Sequence, residues 1–142
     1  QIATGFDMVE KVALGADICH SARPMMMSIG CLQSKQCNAN TCPTGITTQN
    51  KRLQRGLVVD EKKYRVANYQ KNTVKSFLDL VGAMGLDNPS ALSPEYLVRR
   101  INDTNVQRLS EIYEYLKPGQ LLSDTMLEPY KKYWDQASAD HF

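Results

Sequence analysis

Three thiols stand within twelve residues in the run Gly30-Cys31-Leu-Gln-Ser-Lys-Gln-Cys37-Asn-Ala-Asn-Thr-Cys42-Pro43-Thr-Gly45, a C-x5-C-x4-C-P spacing. Soft thiolates at this density suit an iron–sulfur cluster or zinc. The proline after the last cysteine is a feature of several iron–sulfur loops. Asn, Ala, Asn and Thr between Cys37 and Cys42 form a polar turn and follow neither a helical nor a strand period. A cluster of three irons needs three protein thiolates. Structural zinc takes four ligands, often in C-x2-4-C pairs; these spacings are longer, and His20 lies before the run. The bland alternative is three cysteines, free or paired, on a surface loop. The spacing leaves all three readings open.

A second chemistry is anion binding. Ala22-Arg23-Pro24 leads from an expected strand into a helix, where free N–H groups and the helix dipole favour a phosphate. Arg23 adds a fixed charge suited to phosphate. The plain alternative is a solvent-exposed Arg at a turn. Thr4-Gly5, ahead of another helix, is a weaker phosphate loop. His20 reads as a turn or pocket-lining residue, Arg99-Arg100 as a solvated face and Trp134 as a packing anchor. Met25-Met26-Met27 reads as packing filler.

The elements that position these groups follow from punctuation and period. Asp7 is expected to cap a helix over Met8–Leu14, ended by Gly15. Ala16–Cys19 then reads as a short buried strand and His20–Arg23 as a turn. Pro24 begins a second helix that runs to about Ile29. Helix, strand and helix in this order have the rhythm of a βα-barrel or a doubly wound sheet. A long helix begins at Asp60, where Val66, Thr73, Val74, Phe77, Leu80, Val81 and Met84 recur at three- and four-residue steps; Gly85 ends it. Further helices are expected from Ser93-Pro94, with Leu97, Val98 and Ile101 inward, from Val106 to Leu116, and from Met126 to Ala137.

Composition bounds the rest. The chain of 142 residues is long enough for one domain with a core. Net charge is +2 with 23% charged residues, an ordinary balance with no basic face for nucleic acid. No apolar run approaches the roughly 18 residues of a membrane span. Clustered thiols without a secretion signal point to a reducing, cytoplasmic compartment. The opening Gln1-Ile2-Ala3-Thr4-Gly5 reads as the middle of a loop, hence as part of a longer polypeptide.

Gly15-Ala16-Asp17, Arg23, Gly30-Cys31, Cys37, Asn-Thr-Cys42-Pro43-Thr44-Gly45 and Thr48-Gln49 together resemble the C-terminal end of the FMN-binding barrel domain of the glutamate synthase family. The resemblance continues through Arg65–Tyr69. Pro118–Leu122 and Trp134–Asp140 are more similar to a glutamate-synthase-like branch than to the large bacterial enzyme. The resemblance implies an α/β parent, a (β/α)8 barrel with FMN at its C-terminal face, of which this mainly α-helical chain is the end. Residues 1–30 would be the last strand–helix elements, 31–59 the cysteine loop and 60–142 a helical extension. It implies reductive amination of 2-oxoglutarate to L-glutamate by reduced FMN, with electrons relayed through a 3Fe-4S cluster.

Carried over, Cys31, Cys37 and Cys42 match the cluster ligands. Ala22 and Arg23 match the loop that holds the FMN phosphate, with Arg a departure from the family's small residue. Thr4 and Gly5 match the preceding phosphate loop. The catalytic residues lie on upstream strands, so the chain alone is expected to be inactive. Implied partners are the remainder of the barrel, ammonia or glutamine-derived ammonia, and a reductase or ferredoxin. An N-methylglutamate synthase and a non-catalytic helical module with structural zinc are the alternatives.

Overall fold

The computed structural model describes residues 2–122 and 128–140. Helix α1 spans Gly5–Ala13. Its N-terminus is closed by a capping box. The Thr4 hydroxyl accepts from Asp7 N at 3.2 Å, and Asp7 Oδ2 accepts from Thr4 N at 2.8 Å and from Ala3 N at 2.9 Å. The helix therefore starts one turn before the expected Asp7 cap. Thr4 caps, and Asp7 returns the bond from the third helical position. Gly15 follows at φ +101°, a backbone region open to glycine.

The expected strand Ala16–Cys19 is not a strand. The chain from Ala16 to Ala22 has no regular structure, and Ile18 is 76% exposed. A strand needs a ladder partner for its N–H and C=O groups, and no described residue supplies one here. Helix α2 spans Arg23–Ser28, with Pro24 buried in its first turn. Helix α3, Lys51–Gln54, is capped by Asn50, whose side chain accepts from Arg52 N at 2.9 Å. Helix α4 spans Val59–Ala83 and ends before Gly85 at φ +76°, close to its expected bounds.

α1 and α2 both pack on α4. Val9 and Ala13 on α1 and Phe77 and Val81 on α4 are buried, which places the core where the helical period put the apolar face. Gly5 lets the helices touch: a Cβ there would lie 2.5 Å from Phe77 N and 2.7 Å from Ser76 C. Two side chains reach back to the chain's entry. Tyr69 OH donates to Ala3 O at 2.6 Å and Ser21 Oγ to Ile2 O at 2.8 Å.

Beyond α4 the chain departs from the individual helices expected there. Ser93-Pro94 opens a single 3-10 turn, Pro94–Tyr96, and not a helix. Strands β1, Val98–Arg100, and β2, Val106–Arg108, then form a two-stranded sheet. The expected helix Val106–Leu116 shrinks to α5, Leu109–Ile112. Val98 and Ile101, expected inward, are 64% and 46% exposed. Helix α6 spans Glu128–Gln136; Met126 and Leu127 of the expected last helix lie outside the described residues.

The chain forms two compact units, Gln1–Val98 and Arg99–Phe142. Within the second, Arg99 donates to Tyr113 OH at 2.7 Å and Tyr130 OH donates to Glu114 O at 2.8 Å. The described residues are thus mainly α-helical with one small sheet. No helix among them is long and apolar enough to cross a membrane.

Candidate functional site

The three clustered cysteines lie on an irregular loop between α2 and α3. Its backbone is unusual. Gln33, Lys35 and Asn40 have φ of +54°, +57° and +61°, and among the described residues no other non-glycine has positive φ. Each such residue costs on the order of 1 kcal/mol, so the surrounding structure must hold the loop. At Asn40 the holding bonds are visible. Its carbonyl accepts from Thr48 Oγ1 at 2.6 Å and its side-chain oxygen from Gln49 N at 2.5 Å. Thr48 is buried, and its own hydroxyl accepts from Asn50 N at 3.1 Å. Gln54 on α3 donates to Thr48 O at 2.9 Å. The clasp joins the middle of the loop to the helix that ends it. Gly45, at φ +77°, is pressed against the Leu53 carbonyl, where no side chain would fit.

The three sulfurs sit in different surroundings. Cys31 is half-buried, and its sulfur accepts from Gln33 N at 3.4 Å. Cys37 is exposed. Cys42 is buried, with its sulfur 3.3 Å from the Thr44 hydroxyl. That hydroxyl, then the Thr47 N–H and hydroxyl, pull the Cys42 thiol down from 9.0 to about 6 against the opposing effect of burial. Donors around a sulfur favour the thiolate, the form that binds metal. The Thr47 Oγ1 is buried, with no hydrogen-bond partner within reach by distance and angle. Beside these residues is a cavity of about 650 Å³ lined by Cys37, Asn40, Thr47, Thr48, Gln54 and Val59.

Among the described residues no three His, Cys, Asp or Glu side chains are gathered closely enough to hold a metal ion. Cys31, Cys37 and Cys42 share the loop without converging. The donor set nonetheless fits a soft metal centre in its chemistry: three thiols on a loop closed by its own bonds.

Ala22 is the N-cap of α2, makes no side-chain cap bond and is exposed, as is Arg23 at the first helical position. Thr4 and Gly5 are occupied differently. The Thr4 hydroxyl serves the capping box and Gly5 is buried against α4. The Ser21–Ile2 bond draws together the stretches that precede these two helices. Cys19 and His20 line a separate hollow of about 370 Å³ with Ile2, Met25 and Tyr69. Asn40 and Thr47 had no assigned part in the sequence. The signals were the left-handed tolerance of Asn in a polar turn and the density of hydroxyls just after Cys42.

Residues 1–87 match the family model for the conserved region in glutamate synthase. The chain is 38% identical over 101 residues to the glutamate synthase large subunit-like protein YerD of Bacillus subtilis, covering 71% of this chain and 19% of that protein. It is 29% identical over 90 residues to the archaeal NADPH glutamate synthase of Archaeoglobus fulgidus, covering 61% and 18%. It is 27% identical over 128 residues to the NADPH glutamate synthase large chain of Bacillus subtilis, covering 89% and 8%. The chain thus spans less than a fifth of the length of these relatives. No solved structure matches it with comparable significance.

Proposed function

Because the chain belongs to the glutamate synthase family, we propose that it is a segment of a glutamate-synthase-like oxidoreductase in which Cys31, Cys37 and Cys42 hold a 3Fe-4S cluster. The observation that supports this reading is the cysteine loop, which lies wholly within the matched span and sets the Cys42 sulfur 3.3 Å from the Thr44 hydroxyl. A cluster held by Cys31, Cys37 and Cys42 would supply one-electron transfer from a reductase or ferredoxin, and FMN bound beside it would supply the hydride chemistry of reductive amination of 2-oxoglutarate with ammonia.

The chain's own residues have narrower duties. Cys42 offers a buried sulfur, Cys31 a half-buried one and Cys37 one open to solvent, so the ligand set spans the loop from its sheltered to its exposed side. The Asn40–Thr48 clasp fixes the turn between Cys37 and Cys42. Ala22 and Arg23 present uncapped N–H groups and a guanidinium suited to the flavin phosphate. Thr4 and Gly5 would serve the same phosphate by seating α1 close to α4, with the Ser21–Ile2 bond keeping both stretches adjacent.

The test is the full-length protein purified without oxygen. Three irons and four sulfides per chain, one FMN, broad absorbance near 400 nm and glutamate formation from 2-oxoglutarate and ammonia are expected, the wavelength being roughly that of other iron–sulfur proteins. One equivalent of zinc and no sulfide would refute the proposal.

A further inference from the structure

Of the three sulfurs, one is surrounded by hydroxyls. Cys42 Sγ lies 3.3 Å from Thr44 Oγ1. The Thr47 hydroxyl is buried and has no hydrogen-bond partner. A buried hydroxyl left unpaired is unfavourable, so its persistence points to an acceptor that completes it. The neighbouring threonines are already committed. Thr48 Oγ1 donates to Asn40 O at 2.6 Å, and Thr41 Oγ1 donates to Gln36 Oε1 at 3.3 Å. Cys31 has one backbone donor, from Gln33 at 3.4 Å. Thr47 also borders the cavity that Cys37 lines.

We infer that Thr44 and Thr47 are positioning residues whose hydroxyls donate to the Cys42 sulfur, or to a sulfide beside it, and make the cluster easier to reduce. This rests on the cluster reading above. The physical cause is electrostatic: reduction adds negative charge that spreads onto the sulfurs, and donors aimed at a sulfur stabilise that charge. The effect is one-sided. The ligand at the sheltered end of the loop carries the donors, and the exposed Cys37 does not share them.

The experiment is a redox titration of the full-length, cluster-loaded protein with dithionite, followed by the electron paramagnetic resonance of the oxidised cluster. Thr44→Val and Thr47→Val are expected to retain iron and shift the midpoint to a more negative potential, with the double variant shifted furthest. Thr47→Ser, which keeps the hydroxyl, should return it to the wild-type value. Thr41→Val should leave it in place, because that hydroxyl serves Gln36. An unchanged midpoint in Thr47→Val and Thr44→Val overturns the inference, and so does an equal fall in Thr41→Val. Loss of iron from the valine variants also overturns it, since the hydroxyls would then secure the ligand and not set its potential. Wild-type protein free of iron and sulfide, measured first, removes the cluster reading itself.

Discussion

The α1–α4 pair and the cysteine loop lie in the same compact unit and are held by opposite means. The helix pair satisfies its backbone within each helix and gains its stability by burying Val9, Ala13, Phe77 and Val81. The loop leaves nearly every side chain from Leu32 to Thr41 exposed. Its shape comes from three left-handed residues and a few side-chain bonds to the backbone around Asn40 and Thr48. One region is redundant, because many apolar contacts support each other. The other is specific, because a few directional bonds hold strained torsions. Damage should therefore stay local in the loop and spread in the helix pair.

The largest expected effect breaks function without touching the pair. Cys37→Ser in the full-length protein should abolish the cluster absorbance while the helices from Asp60 onward keep their circular dichroism and melting profile; unchanged iron content would remove Cys37 from the ligand set. In the pair, Phe77→Ala should destabilise the first unit by about 3–5 kcal/mol through cavity formation, read by urea unfolding. A drop under 1 kcal/mol would mean that α1 and α4 are not held by this core.

Smaller effects sharpen the contrast. Asp7→Asn weakens the capping box and should lower stability by about 1 kcal/mol at neutral pH. The backbone N–H groups of Ala3 and Thr4 lower the Asp7 pKa below 3.8. That stability is therefore full above the unfolded value and is lost as pH falls through the lower folded one. Wild type and Asp7→Asn should converge in strong acid; a gap that persists there would assign the effect to shape and not to charge. The smallest effect should be a gain. Lys35, exposed at φ +57°, is relieved by Lys35→Gly, worth roughly 0.5 kcal/mol after the added freedom of the unfolded chain. Slower amide exchange across the loop would register it.

What could be read from the sequence divides along the same line. The long helix was legible because its apolar residues recur over several turns, and only its first residue moved, from Asp60 to Val59. Helix α1 was legible except for its cap, since Thr4 and Asp7 are both capping residues and only the reciprocal bond decides their order. The strand at Ala16–Cys19 failed for want of a neighbour. The helix from Ser93-Pro94 failed because Leu97, Val98 and Ile101 fit a helical step by chance. Asn102–Asn105, between two short runs with β-branched residues, was the stronger signal: Ile101 N donates to Asn105 O at 2.9 Å and Asn102 Oδ1 accepts from Thr104 N at 3.1 Å, closing a hairpin. At the site, the cysteines were legible by type and spacing. The clasp and the hydroxyls around Cys42 were not, because they depend on torsions that no local pattern announces.

The seat of Gly5 on α4 has a mechanical side. Val59, at the start of α4, borders the cysteine cavity. The backbone of Ser76 and Phe77 rests against Gly5, too close for any side chain. At 1.5 Å per residue these points are about 25 Å apart, and Ala83 lies about 10 Å beyond. The helix thus meets its tightest backbone contact off-centre, with a long arm toward the cysteines and a short arm toward Gly85. A sideways shift of about 1 Å at the cavity would reach the far end as about 0.4 Å in the opposite direction if the helix stays straight. With the contact set this far along the helix, any displacement at the cysteine end would arrive reduced at the short end.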